Sequence, residues 1–389
     1  MQDIKIINRK TLPGLWGLFS STFLLQSSMS MIGIFIPIYI FKATNSLAWT
    51  FLFYVVYHFT NLAFALPSAR LIAKFGSDRA AIASTILRIA VLILLIWGQD
   101  KPLFFLISAV IWGISIPLYW LPYHLTVIGI SDGQRFGQTA AKLAVVDKIG
   151  CIAGPIIGGL IIQAFGFETV YHLAIILLLA TGIPLLFDKY EFKYPDISFT
   201  ILKKNLFDSK MKRFYAALVG NGFVSQIYDA IWPLYVFLTI GSFKFLGTIT
   251  SIGIFASFIL LIAAGKIADR KGNKILPFSA AANMLNLASR TLFSSGTALF
   301  IIDLLYQLVS VFVWIPLERF SYQNAINTKK LEFFLSREIF IHAGSLVAGL
   351  ILFFAFGIMR TEWSLGFILG AAGFILIGQL GLSRIKIKT

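Results

Sequence analysis

The sequence is short of charge, of acidic residues and of cysteine. Only 13% of its 389 residues are charged, where a soluble domain carries about 25%. One cysteine, Cys151, excludes an internal disulfide and a cysteine-held metal centre. No G-x-x-x-x-G-K-[ST] phosphate loop occurs, so nothing points to ATP-driven chemistry. No Ser/His/Asp or Cys/His constellation emerges either, so neither an enzyme nor a cofactor is expected. Asn-x-Ser/Thr sequons are absent and loops are minimal, which fits a prokaryotic inner membrane.

What fills the chain is apolar. The hydrophobic share is 58%, and Phe alone supplies 38 residues. Mean hydropathy is +0.84. A membrane-spanning helix needs about 20 mostly apolar residues. Twelve such spans are predicted, at residues 12–41, 47–73, 79–98, 102–128, 138–165, 167–187, 213–240, 245–268, 273–294, 296–318, 332–357 and 361–383. The first is not a cleavable signal: it is long, contains Gln26 and lacks a small-residue cleavage site.

Lys and Arg outnumber Asp and Glu by 33 to 17, a net charge of +16. In a soluble protein this excess would suggest nucleic acid; between spans it sets topology. One set of loops and ends collects Lys5, Arg9 and Lys10, then Arg70, Lys74 and Arg79, then Arg135. To the same side belong the basic stretch from Lys189 to Arg213, Lys266 to Lys274, Arg319, Lys329 and Lys330, and finally Arg384, Lys386 and Lys388. The opposite loops hold only Lys42, Lys101, Lys244 and Arg360. The expectation is a multi-pass protein of the inner or plasma membrane, monomeric, with both termini cytoplasmic.

The polar stretch from Asp188 to Lys212 divides the chain near its middle, and the halves repeat. Pro37-Ile38-Tyr39-Ile40-Phe41 matches Pro233-Leu234-Tyr235-Val236-Phe237, and Gly76 matches Gly272, both at an offset of 196. Trp120-Leu121-Pro122 matches Trp314-Ile315-Pro316 at 194, and Ala153-Gly154 matches Ala348-Gly349 at 195. The expected architecture is all-α: two pseudo-symmetric six-helix bundles, residues 1–190 and 212–389, joined by a cytoplasmic linker at 191–211.

Two local patterns stand out. The loop after span 8 reads Gly265-Lys-Ile-Ala-Asp269-Arg270-Lys271-Gly272-Asn273-Lys274, and span 5 reads Gly150-Cys-Ile-Ala-Gly154-Pro155-Ile-Ile-Gly158-Gly159. The first resembles the G-x-x-x-D-R-x-G-R-[RK] loop of the major facilitator superfamily. The second resembles that superfamily's g-x-x-x-G-P-x-x-G-G pattern, common in its antiporters. With twelve spans in a repeated half, the resemblance covers the whole chain. Departures exist: Ala69 and Ala73 replace the motif's Gly and Asp in the first half, and span 4 lacks the buried Arg of many proton-coupled drug antiporters.

The resemblance implies a secondary transporter working by alternating access, with spans 1, 4, 7 and 10 around a central cavity. It also implies that Asp269 meets the N-terminus of span 5, where backbone N–H groups favour an anion, with Lys142 adding a charge. Gly265, Asp269, Arg270, Gly272, Lys142, Arg337 and Glu338 are the candidate gating residues; Glu318 and Arg319 sit at the same edge. Gly150, Gly154 and Gly158 fall on one helix face, so with Pro155 and Gly159 they read as a packing surface.

Polar stripes on otherwise apolar spans mark the cavity face. They give Gln26 and Ser30 on span 1, Trp120 and Tyr123 on span 4, Gln226 and Trp232 on span 7, and Gln307 and Trp314 on span 10 as candidate substrate contacts. Asp229, mid-span beside Gln226, is the candidate coupling acid. A carboxylate there costs several kcal/mol unless it is paired, hydrated or protonated. Asp303 and His124 are second choices, although Asp303 also reads as an interfacial group. Asp147 reads as half of a helix-to-helix ion pair. Lys148, facing away from Asp147, is the nearest cation for Asp229. Arg88 and Arg290 read as snorkelling or structurally paired. His58 and His124 lack metal-like partners at i+3 or i+4, so no metal is expected.

The aromatic walls suit lipophilic or cationic solutes. The expected function is proton-coupled export of a small amphipathic or lipophilic compound, with membrane lipids as surroundings. The rival readings are a proton-coupled nutrient importer, a lipid or lysolipid transporter, and a non-transporting receptor.

Overall fold

A computed structural model describes residues 15–130, 135–187, 197–326, 328–359 and 361–382. The terminal basic residues, Lys189, Arg360 and the first part of the linker, which carry part of the topology expectation, lie outside the described residues.

Span 1 is α1 (Leu15–Ile32) and α2 (Ile36–Thr44); spans 2 to 4 are α3 (Leu47–Phe75), α4 (Ser77–Gly98) and α5 (Leu103–Ile130). Span 5 is α6 (Phe136–Ile152) and α7 (Gly154–Phe165), and span 6 is α8 (Phe167–Phe187). The linker carries a short helix, α9 (Phe199–Leu206). Span 7 is α10 (Lys212–Gln226) and α11 (Trp232–Ile240), followed by α12 (Phe243–Lys271), α13 (Leu276–Ser289), α14 (Gly296–Ala325), α15 (Lys330–Leu352) and α16 (Trp363–Gly378).

Eleven described stretches are long and apolar enough to cross a membrane. One of them, Phe243–Leu292, runs 50 residues. At 1.5 Å per residue it would span about 75 Å, far beyond a hydrocarbon core of about 30 Å. It turns back at Gly272, whose φ of +58° is open to glycine and strained for other residues. Among the described residues the crossings therefore number twelve.

The repeat seen in the sequence governs local structure. α2 and α11 start and end 196 residues apart, and so do α3 and α12. Ser46 and Ser242 each cap their helix, accepting from the Trp49 and Phe245 amides at 3.4 and 3.1 Å. Pro37 and Pro233 each sit in the first turn of a helix. A proline lacks the N–H that would continue the preceding helix, so both spans break just before it. The break is a 3-10 turn at Gly33–Phe35 in span 1 and a wider π turn at Ile227–Ile231 in span 7.

Two six-helix bundles result. They meet along two seams, α3 against α15 and α6–α7 against α12. At one end Phe35 lies 6.2 Å from Phe243, ring to ring. At the other, side chains of α12 and α15 reach α6 and α5.

The glycine face of span 5 packs on span 1. A Cβ at Gly150 would meet the Phe23 carbonyl, and one at Gly154 would meet Ser30. One at Gly158 would overlap the Met31 carbonyl and sit 3.1 Å from the Phe35 ring. Gly159 turns instead to Phe243 of α12, and the Pro155 carbonyl abuts Gly247. Gly158→Val is expected to cost about 1–3 kcal/mol through overpacking, read as a lowered melting temperature in detergent. Gly182→Ala, where a Cβ meets nothing within 4 Å, is expected to leave melting unchanged.

Candidate functional site

A cavity of about 460 Å³ lies between the bundles. Its walls come from the break in span 1 (Ile34), from span 5 (Ala144 and Lys148), from spans 7 and 10, and from span 8 (Leu246, Thr250, Ile254 and Leu261). Tyr228, Trp232, Tyr306 and Trp314 give it an aromatic part beside aliphatic walls, and Asn221, Ser225, Gln307 and Ser310 add polar edges. Tyr228 and Tyr306 stack with ring centres 4.2 Å apart.

Asp229 sits in the π turn and opens to this cavity. The wide turn, forced by Pro233, displaces the following residues from regular α register. Its main-chain carbonyl accepts from Tyr54 of α3 at 3.0 Å. No described cation lies within ion-pair distance of its carboxylate. Lys148 of the opposite bundle and Glu318 line the same space.

The other candidate coupling groups are engaged. Asp303 is 1% exposed and lies 3.7 Å from Arg290, which is fully buried. The Tyr228 hydroxyl donates to Asp303 and accepts from Arg290 Nη2 at 3.1 Å. The Arg290 guanidinium stacks 3.7 Å above the Trp232 ring centre. The sequence reading of Asp303 as interfacial is corrected: four residues from spans 7, 9 and 10 form one cluster, in which Tyr228 and Trp232 face the cavity and Asp303 and Arg290 are buried behind them. Arg290 is paired and does not snorkel.

His124 is likewise held. Its Nδ1 lies 3.0 Å from the Tyr322 hydroxyl and its Nε2 2.6 Å from Arg337 Nη1. Arg337 also binds Glu338 at 3.0 Å and pairs with Glu318. Arg337 and Glu338 lie two turns inside α15, both 5% exposed. They thus bridge α5, α14 and α15.

Asp269 caps α6 from a distant helix. Its two carboxylate oxygens accept the Gly137 and Gln138 amides at 2.7 and 3.0 Å. These are orphan N–H groups of the first turn, for which Arg135 supplies no side-chain cap. Gly265, one turn earlier, lets the backbones approach: a Cβ there would lie 2.8 Å from the Gly137 carbonyl. The partner cation is Arg319, 3.4 Å away, where the sequence suggested Lys142. Lys142 is exposed five residues beyond Gly137, about 7.5 Å further along the axis. Arg270 is exposed as well. Asp269→Asn keeps one acceptor and loses the charge. It is expected to weaken this end of the seam by about 1 kcal/mol, a roughly fivefold shift toward parted bundles in a spin-label distance measurement.

Of the predicted contacts, Trp232, Gln307 and Trp314 line the cavity with Asp229. Gln226 lies behind it, 3.0 Å from His58 Nε2. The remaining four are engaged within the first bundle. Ser30 bonds back to the Ser27 carbonyl at 3.1 Å, and Gln26 packs at Gly150 beside Asp147. Tyr123 donates to Asp147 at 2.9 Å, so among the described residues that acid has a hydroxyl and no ion-pair partner. Trp120 stacks on His124. The contributions of spans 5 and 8 were missed. Lys148, already read as the nearest cation for Asp229, was the signal that span 5 reaches the cavity.

Among the described residues, the twelve crossings, the two seams and the cavity between them define a multi-pass membrane protein of two bundles. The sequence profile of the Major Facilitator Superfamily matches residues 18–326, and the chain belongs to that family. No curated protein matches the sequence. Among solved structures, a bacterial homologue of the iron transporter ferroportin, in an outward-facing state, superposes with a TM-score of 0.70 at 12% identity, over 95% of this chain and 99% of that one. The E. coli fucose:proton symporter superposes with a TM-score of 0.69 at 13% identity, over 95% and 98%. At these identities the likeness is one of fold.

Proposed function

We propose that the protein moves a small amphipathic or lipophilic compound out of the cell in exchange for protons, by rocking two bundles (residues 1–190 and 212–389, with a cytoplasmic linker) about the cavity. The observation that carries this reading is Asp229. Among the candidate acids it alone faces the cavity with no ion-pair or hydrogen-bond partner for its carboxylate among the described residues.

An unpaired carboxylate in an apolar site is stable when protonated or when cargo and water solvate it. Proton and cargo then compete for one place, which is the condition for exchange. The cavity volume lies within the range of about 300–1,000 Å³ that encloses drug-sized ligands. Trp232, Tyr306 and Trp314 would hold an apolar body, while Asp229 and Lys148 face the polar end. A nutrient importer for sugars would want more amide side chains here than Asn221 and Gln307.

Proteoliposomes with an imposed pH gradient test the reading. Accumulation of an aromatic, amphipathic probe driven by the gradient supports it. Gradient-independent movement of every probe tried overturns the coupling.

A further inference from the structure

The seam between α3 and α15 holds a histidine pair away from the cavity. His58 and His342 are 4% and 6% exposed, and their Nδ1 atoms lie 2.9 Å apart. His58 belongs to the first bundle and His342 to the second. His58 has no metal-like partner at i+3 or i+4 in the sequence, and the histidine it meets stands 284 residues away. His58 Nε2 meets Gln226 Oε1 at 3.0 Å, and His342 Nε2 faces Glu338 Oε2 at 3.8 Å.

Two ring nitrogens at this distance hold one hydrogen between them: one donates and the other accepts. Add one proton to the neutral pair and three N–H groups result. One is shared, one points from His58 to Gln226, and one points from His342 to Glu338. Every ring nitrogen is then engaged and the positive charge lies beside a carboxylate. In the neutral pair with His58 as donor, His58 Nε2 is bare, and the Gln226 amide must turn over to donate to it. Gln226 Nε2 is buried without a partner, so it is free for that bond. A second added proton would set N–H against N–H. Joined, the pair holds one extra proton; parted and wetted, the two rings hold two.

We propose that His58 and His342 form a proton-binding clasp between the bundles, joined with at most one added proton and parted with two. The proposal rests on the rocking of the bundles and is independent of Asp229. Below the ordinary histidine pKa of about 6.5, two parted rings bind more than the one extra proton the joined pair can hold, so falling pH there favours parting. The groups around the pair are Tyr57 on α3, its ring tilted and centred 4.4 Å from that of His58, and Glu338 and Arg337 on α15. Asp229 from span 7 and Arg88 from α4 approach Tyr57. His124 and Glu318 connect through Arg337, whose charge they share with Glu338. The histidines alone among these have an ordinary titration range near neutrality.

The test uses full-length protein in nanodiscs with Cys151→Ser and spin labels at Lys42→Cys with Glu362→Cys, or at Lys74→Cys with Lys329→Cys. These sites are exposed at the two ends of the seam. Between about pH 6.5 and about pH 4.5, where two free rings go from about one bound proton to about two, the ratio of parted to joined bundles is expected to rise at least about tenfold at one end. The rise persists in Asp229→Asn and vanishes in His58→Asn and His342→Asn. An unchanged ratio in the parent, a rise of the same size in both histidine variants, or its loss in Asp229→Asn overturns the proposal. If either histidine variant fails to fold, nitrogen-15 histidine spectra of the parent decide: a coupled Nδ1 pair sharing one hydrogen supports the clasp, and two independent rings refute it.

Discussion

Replacing Asp229 with Asn is expected to lower proton-driven flux by about 100-fold or more while cargo exchange without a gradient stays within about threefold, since the change removes a proton carrier and keeps the shape. Asn is nearly isosteric, so the π turn, Pro233 and the Tyr54 bond to the Asp229 main-chain carbonyl are retained. What is lost is the one carboxylate candidate that faces the cavity unpaired. Flux in proteoliposomes with an imposed pH gradient, set beside counterflow of labelled cargo at equal pH, separates the two steps. Undiminished gradient-driven flux would move coupling elsewhere and leave the clasp at His58 and His342 as the next proton site to test. The failure of one does not entail the failure of the other, because the clasp is read from distances at a seam and Asp229 from flux.

Arg290→Ala is expected to be the most destabilising single change, at about 3–5 kcal/mol, because it strands Asp303 as an uncompensated buried charge. It also removes the guanidinium stacked 3.7 Å over Trp232 and the bond to the Tyr228 hydroxyl. Both aromatics line the cavity, so the loss reaches cargo binding as well as folding. Thermal melting and yield after detergent extraction measure the first effect, and cargo affinity of the surviving fraction the second. The double change Arg290→Ala with Asp303→Ala is expected to recover part of the stability, since neither charge is then left alone. Equal damage from the single and double changes would mean that the aromatic stacking, rather than the ion pair, dominates the cluster.

The two halves repeat in backbone and differ in chemistry. The α12 seam carries the Asp269 cap on α6 and small residues at Gly247 and Gly265. In the first half Ala69 and Ala73 stand where Gly265 and Asp269 stand in the second. The α3 seam is held instead by the run Gln226, His58, His342, Glu338, Arg337 and His124. The departures from the family loop noted in the sequence therefore coincide with a different kind of contact between the bundles.

The sequence by itself determined the crossings, the repeat and the helix breaks. Each follows from local causes: apolar run length against membrane thickness, prolines without an N–H, serines at N-caps, glycines where φ is positive. It also placed Asp229, Trp232, Gln307 and Trp314 on one face, because helical periodicity is a local property. Only the tertiary structure decided which polar side chains were already occupied. Gln26, Ser30 and Tyr123 share the stripes of true cavity residues, and their hydrogen bonds end on α6, within span 1 itself and on Asp147. Lys148 enters the cavity from span 5, and Arg319 replaces Lys142 beside Asp269. His342 meets His58 across 284 residues. Such pairings depend on how far each helix is rotated and slid against its neighbour. That is set by side-chain packing over the whole seam, and no window of sequence short enough to read by periodicity contains it.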